Sequence, residues 1–242
     1  MKHIDTQKRE EEILELVVKS YIKESKPISS GYLCEKFKLP YSSATIRNIM
    51  ETLEKKGLLS HIYTSSGRVP TKEGFKKYVK MLKRKRFRER RLNINLSTSS
   101  VEEFILKAMD TLANLSGYLS LGAISFHKKK ILFRGTRFIF EQPEFEDIKK
   151  VRALFYLLEV KMNILYELLF SYLDKQISVL VGDEIGAKEI KDCSLVISGL
   201  QAKNIGASLA LLGPMRMDYA KAISLLSAVR KKLEEFIGGE NE

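Results

Sequence analysis

Between positions 42 and 48 the chain reads Ser-Ser-Ala-Thr-Ile-Arg-Asn, which gathers hydroxyls, a guanidinium and a carboxamide within two turns, provided the segment is helical. The spacing predicts that it is. Ile46, Met50 and Leu53 recur at i, i+4 and i+7, as one buried face requires. Ser42 or Ser43 can cap the N-terminus, and Gly57 suits the position after the end, so the helix is expected over 44–56. Ser43, Thr45, Arg47, Asn48 and Glu51 then project elsewhere. Arg can bond guanine, and Asn adenine, through two parallel hydrogen bonds. Ser42, Ser43 and the first backbone N–H groups can hold a phosphate. An ordinary amphipathic surface helix carries the same pattern, so its neighbours must decide.

Those neighbours form a recognisable order. A helix is expected over 8–24 from Ile13, Leu16, Val17 and Tyr21, and Pro27 ends that region. Ser29 or Ser30 can cap a short helix to Phe37, with Leu33 and Phe37 inward, and Leu39-Pro40-Tyr41 makes a tight turn. After Gly57, residues 58–63 read as a strand, 64–68 (Thr-Ser-Ser-Gly-Arg) as a turn, and Val69 as the start of a return strand. Another helix starts at Pro70-Thr71. Three short helices and a hairpin are the order of a winged helix-turn-helix. The glycine-containing turn is expected to expose Arg68 at the tip of the wing, where an Arg can enter a minor groove. Ser66 beside it and Lys72 in the next helix complete the expected duplex-contacting set. That helix runs into KMLKRKRFRERR at 80–91, eight of whose twelve residues are basic.

The charge is confined to this half. The 242-residue chain carries +12; residues 1–91 hold 23 Lys/Arg against 11 Asp/Glu, and residues 92–242 hold 19 of each. Such asymmetry points to a polyanionic partner for the basic half. With 44% hydrophobic residues the chain can bury real cores. The most apolar stretch, 151–173, includes Arg152, Glu159, Lys161, Asn163 and Glu167, too many polar groups for a membrane span. The N-terminus MKHIDTQKREEEI lacks the apolar core of a signal peptide. A cytoplasmic protein with no membrane partner is expected. Enzyme chemistry finds little footing. His3, His61 and His127 are dispersed, and Cys34 and Cys193 are lone thiols. Asp183, Glu184 and Asp192 read as loop carboxylates, and no phosphate-binding or metal-ligand spacing occurs. No cofactor or metal is expected.

After the uncharged stretch at 93–100, the second half reads α, β, β, α, β, β, β, α. Helices are expected over 101–116, 144–172 and 218–237, and strands over 119–126, 130–140, 177–181, 195–198 and 209–212. An antiparallel sheet flanked by helices suits this order, in the α+β class. The expected division is a winged helix-turn-helix domain over 1–91, a linker over 92–100 and a second domain over 101–242. Within 151–173, Leu154, Leu158, Met162, Leu165, Leu169 and Tyr172 form one stripe, with a second stripe beside it. Together they cover more circumference than one domain surface needs, so the stripe is expected to pair with its copy in a homodimer. A break near 161–163, giving two helices that each bury a face inside one subunit, fits the same pattern. Gly213-Pro214-Met215-Arg216-Met217-Asp218-Tyr219 reads as a strand end turning into a helix, with Asp218 as N-cap.

Several blocks now resemble one family. SSATIRNIMETLEKKGLL (42–59) and HIYTSSGRVPTKEGFKKYV (61–79) are similar to the N-terminal domain of the bacterial heat-inducible transcription repressor HrcA. FEQPEF (140–145), KDCSLVISG (191–199) and ASLALLGPMRMDYAKAISLL (207–226) are similar to its C-terminal signature, in the same order. The resemblance implies a winged helix followed by a GAF-like domain. It also implies a dimer that represses chaperone operons from an inverted-repeat operator called CIRCE, with the chaperonin GroEL as a modulating partner. Gly213, Pro214, Arg216, Asp218 and Tyr219 fall in the signature without an implied role. Typical members carry a dimerising domain inserted in the GAF-like domain. Here Phe126 passes to Ile131 through only His-Lys-Lys-Lys, which leaves no room for it. GAF-like domains often hold small ligands, so a metabolite-sensing regulator is the alternative reading.

Overall fold

The computed structural model describes residues 2–62, 67–84, 98, 100–125, 129–202 and 205–239. The chain forms two compact units, residues 1–86 and 87–242. The expected linker at 92–100 falls almost wholly outside the described residues, as does 85–91 of the basic run and the turn at 126–128.

Unit 1 runs α1 (Lys2–Glu24), α2 (Ser30–Phe37), α3 (Ser43–Lys55), β1 (Leu59–His61), β2 (Arg68–Pro70) and α4 (Lys72–Arg84). Helix α1 starts six residues earlier than its apolar periodicity suggests, because Ile4 is the one apolar residue of the helix before Ile13. Ser29 caps α2, its hydroxyl accepting from Tyr32 N at 3.1 Å. The core gathers Ile13, Leu14, Val17 and Val18 from α1, Leu33 from α2, Ile46, Met50 and Leu53 from α3, and Phe75, Tyr78, Val79 and Leu82 from α4. Each such side chain contributes about 1.5–3 kcal/mol by leaving water. Phe37, expected inward, stays on the surface, 36% exposed. Strands β1 and β2 pair antiparallel, Leu59 opposite Pro70 and His61 opposite Arg68. Ile28 adds a third edge, exchanging both backbone hydrogen bonds with Arg68 at 2.9 and 2.8 Å. Gly67 permits that approach: a Cβ there would lie 2.5 Å from the Ile28 carbonyl carbon.

Unit 2 runs α5 (Val101–Ser116), β3 (Leu119–Ser125), β4 (Lys129–Arg134), α6 (Ile148–Glu159), α7 (Met162–Phe170), β5 (Ser178–Val181), β6 (Cys193–Ala202), β7 (Ile205–Pro214) and α8 (Tyr219–Gly239). The five strands form one antiparallel sheet in the order β4-β3-β7-β6-β5. Helices α5 and α8 pack on one face, and α6 and α7 belong to the other. With both faces covered, β7 is buried along its whole length, and apolar runs replace alternation. Strands β6 and β7 extend well beyond the expected 195–198 and 209–212. Their added positions include small residues, Gly199 and Gly206 among them, at which other chain segments come close to the sheet. A Cβ on Gly199 would lie 2.1 Å from the Tyr172 carbonyl oxygen. The expected strand 130–140 ends at Arg134, where Gly135 adopts φ 79° and a 3-10 turn, Thr136–Ile139, follows.

The tract 144–172 is not one helix. A 3-10 turn at Pro143–Phe145 precedes α6, whose N-terminus Asp147 caps by accepting from Lys149 N at 2.9 Å. The chain breaks at Val160–Lys161 before α7. The expected dimer stripe is corrected accordingly. Leu154, Leu158, Leu165 and Leu169 are at most 1% exposed and pack with Leu121, Leu195, Ile197 and Leu212 of the sheet inside one subunit; Met162 opens α7, half-buried. The break turns both helices so that each seats its own leucines, and none of these four is available to a partner. Leu158→Ala should therefore destabilise the chain by about 2–5 kcal/mol in urea unfolding, and Leu158→Glu should leave it unfolded. A Leu158→Glu variant that stays folded and becomes monomeric by light scattering would restore the interface reading.

Candidate nucleic-acid interface

Helix α3 is fixed at its start by hydroxyls. Thr45 N donates to Ser42 Oγ at 3.1 Å, and the Ser42 and Thr45 hydroxyls lie 3.0 Å apart. The Ser43 hydroxyl meets that of Ser30 at 3.0 Å and ties α3 to α2. Ile46, Met50 and Leu53 face the core, so Ala44, Arg47, Asn48, Glu51 and Lys55 emerge as an exposed stripe at i, i+3, i+4, i+7 and i+11. The side chains of Arg47 and Asn48 bond to no other described residue. Ser42 is exposed, whereas Ser43 and Thr45 are half-buried. Lys55 escaped the sequence reading, although its i+8 spacing from Arg47 marks it as the next member of the stripe.

The remaining expected contacts separate. Arg68 is not at a tip. It is the first residue of β2, with a side chain only 19% exposed, and its Nε donates to Glu54 Oε2 at 2.8 Å. Backbone pairing with Ile28 and His61 draws it into the hairpin, and the Glu54 carboxylate holds it there. Ser66 lies outside the described residues, and Lys72 opens α4, half-buried. Of the basic run, Lys83 and Arg84 end α4 on the surface.

Glu54 also accepts from His61 Nδ1, so both strands of the hairpin are held by one carboxylate on the last turn of α3. Burial pushes its pKa up, but the His61 hydrogen bond and the Arg68 charge outweigh that, and the net shift is downward. Other acids of unit 1 are paired as well: Glu10 with Lys56, Glu11 with Lys77, and Glu24 with Lys36. Arg47 and Lys55 thus keep their charge for an outside partner, with Glu51 between them.

In unit 2 the blocks 140–145 and 213–219 meet. Arg216 Nε and Nη2 reach Glu144 Oε1 and Oε2 at 2.5 and 3.1 Å, a two-pronged pair on a guanidinium whose side chain is 13% exposed. Pro214 O accepts from Met217 N, turning the strand end into the helix. Asp218 caps α8 through Lys221 N at 2.9 Å, and Asp218 N donates to the Tyr118 hydroxyl at 2.8 Å. Gly213 leaves room for the Tyr118 ring, which a Cβ would meet at 2.8 Å. The Tyr219 hydroxyl is buried between Ser194 Oγ at 2.7 Å and Met215 O at 2.5 Å. Every member of this set holds the start of α8 against the sheet and the 140–145 turn. A cavity near it, between Glu144, Lys150, Glu189 and Cys193, has a volume of about 20 Å³, room for one water.

A family model described as the HrcA protein C terminal domain matches residues 76–223. The chain belongs to the HrcA family. Among its relatives, the heat-inducible transcription repressor HrcA of Carboxydothermus hydrogenoformans is 25% identical, with 98% of this chain and 99% of the relative covered. The HrcA of Natranaerobius thermophilus is 27% identical, with 93% and 95% covered. The fold is similar to a crystal structure of a hypothetical protein, at a TM-score of 0.80 and 20% identity over 96% of this chain and 98% of that one. HrcA proteins are transcription repressors and not enzymes, and the α+β order of winged helix and sheet domain is the family's. The Carboxydothermus alignment runs over 343 positions and this chain has 242 residues, so at least 101 positions of that relative have no counterpart here. Consistent with a short HrcA, β3 and β4 pair directly, with Ser125 opposite Lys129. Among the described residues no helix is long and apolar enough to cross a membrane.

Two outcomes follow for the full chain. The lowered Glu54 pKa favours the folded state fully above the ordinary value of 4.5, and that contribution is lost as pH falls through the lower folded value. Glu54→Gln should cost about 0.5–1 kcal/mol at pH 7 and flatten the fall in the urea midpoint between pH 6 and pH 3.5; an unchanged pH profile would contradict the anchoring role. Burial, aided by Asp192, pushes the Cys193 thiol up to about 12, while Cys34 is half-buried. Iodoacetamide at pH 8 should label Cys34 well before Cys193, and equal rates by peptide mass mapping would contradict the burial.

Proposed function

We propose that this chain is a heat-inducible transcription repressor that binds an inverted-repeat operator of the CIRCE type as a homodimer, with α3 in the major groove. The observation that carries the reading is the exposed stripe of α3. Arg47 and Asn48 stand there without a partner among the described residues, on a helix whose other side is locked into the core of a winged-helix unit. Ser42, Ser43 and Thr45 set the helix N-terminus toward a phosphate, and Lys55 adds a cation at the far end. Ser66 and Lys72 complete the set as contacts to the phosphate backbone. Arg68 acts through the wing's geometry, since Glu54 already engages its guanidinium. Residues 1–91 are the DNA-binding half, 92–100 the linker and 101–242 the GAF-like half. The names of the relatives support the heat response, and the family resemblance supports modulation of repression by the chaperonin GroEL.

Footprinting on a chaperone operon promoter, with and without GroEL, tests the operator and the partner together. Arg47→Ala and Asn48→Ala should each weaken operator binding by on the order of 1–3 kcal/mol and relax base preference, measured by fluorescence anisotropy at fixed salt. The logarithm of the wild-type affinity should fall linearly with that of salt concentration. Wild-type affinity and preference in both variants would refute α3 as the reading surface.

A further inference from the structure

The side of α6 turned away from the core is also apolar. Ile148 is 58% exposed, Tyr156 48% and Val160, just past the end of the helix, 64%. At 100° per residue they lie opposite Leu154, the centre of the buried face. Phe140, 64% exposed, extends the patch through Phe155, against whose ring it stacks at 6.4 Å. Large apolar side chains left exposed on one helix face mark an interaction site.

The charges on the same stripe say what covers it. Arg152 and Glu159 are exposed, seven residues apart, and bond to no other described residue; Lys149, also exposed, adds a second cation at the N-terminal end of the same stripe. Nearby charges on other elements are already engaged: Lys150 lies 3.6 Å from Asp192 and Lys161 bonds Glu189 at 2.6 Å. The stripe is therefore basic in its N-terminal half and acidic in its C-terminal half, with Tyr156 between. A surface of that pattern is complementary to itself when turned end for end. About a two-fold axis between positions 155 and 156, Arg152 of each copy faces Glu159 of the other and Tyr156 meets its mate, with Ile148 and Val160 flanking the contact. An isologous contact requires this arrangement. Two antiparallel helices also oppose their dipoles favourably.

We propose that the outer face of α6 is a self-pairing surface and that its occupant is the α6 of a second copy of this chain, in antiparallel contact through Ile148, Arg152, Tyr156, Glu159 and Val160. The inference deepens the homodimer of the proposed function and is tested without DNA. Sedimentation velocity on the full chain should show a concentration-dependent dimer. Arg152→Glu and Glu159→Arg, both on the surface, should each weaken it on the order of tenfold or more while leaving the far-ultraviolet circular dichroism unchanged. Mixing the two variants should restore the dimer, because two acids at positions 152 and 159 of one copy then meet two bases at the same positions of the other. The double variant R152E/E159R should also recover, since both contacts re-form with reversed sign. A monomeric wild type, single variants that dimerise normally, or a mixture without recovery would each overturn the proposal. A dimer that behaves as expected but ignores the operator would refute the DNA reading alone.

Discussion

One carboxylate fixes the working geometry of the winged-helix unit. Glu54 sits on the last turn of α3 and takes hydrogen bonds from His61 on β1 and Arg68 on β2. The hairpin is thereby fastened to the C-terminal end of α3, while the N-terminal end, with Ser42, Arg47 and Asn48, is left open. Backbone pairing of Arg68 with Ile28 ties the same hairpin to the start of α2. The Ser30–Ser43 hydroxyl contact completes the circuit between α2 and α3. A recognition helix needs such bracing, because base contacts discriminate only when the donors are held in position. Glu54 and Arg68 are largely withdrawn from solvent by this bracing, whereas Arg47 and Asn48 stay exposed with no partner among the described residues.

In unit 2 the constraint is coverage of the sheet on both faces. It accounts for the continuous burial of β7 and for the small residues on β6 and β7. It also accounts for the fate of the leucines of α6 and α7, which the sheet consumes. The 140–145 turn and the 213–219 turn close one end through Arg216 and Glu144. A guanidinium that buries both its planar fork and its stem there is a fastening, and the polar residues around it serve the same end.

Local rules were legible in the sequence wherever one residue decides. Ser42 as cap, Gly57 as terminator (φ 70°) and the span Val101–Ser116 all follow from capping and apolar spacing. What pattern alone misplaces depends on partners distant in sequence. Arg68 looks like a wing tip until Ile28 and Glu54, 40 and 14 residues earlier, are brought beside it. Strands β6 and β7 look short because Gly199, Gly206 and Ser208 read as punctuation, although they are points of close packing. The leucine stripes over 154–169 are real, but periodicity cannot say that a sheet, and not a second subunit, faces them. The outer stripe of α6 was masked by the same abundance, since Ile148, Tyr156 and Val160 attract little notice among so many leucines.

The sheet order has a consequence for how the chain comes off the ribosome. Leu119 pairs with Leu212 and Ser125 with Gly206, so β3 lies at least 81 residues upstream of the strand that completes it. At roughly 5–20 residues per second, the β3–β4 hairpin, with α5 available for one face, waits several seconds with one apolar edge unpaired. Lys130 and Arg134 on β4 place charge along that strand during the interval, the kind of gatekeeping that keeps nascent strands from pairing with the wrong neighbour. Strand β7 and α8 follow one another directly and seal the sheet together, so both must have emerged before unit 2 can exist as a folded body.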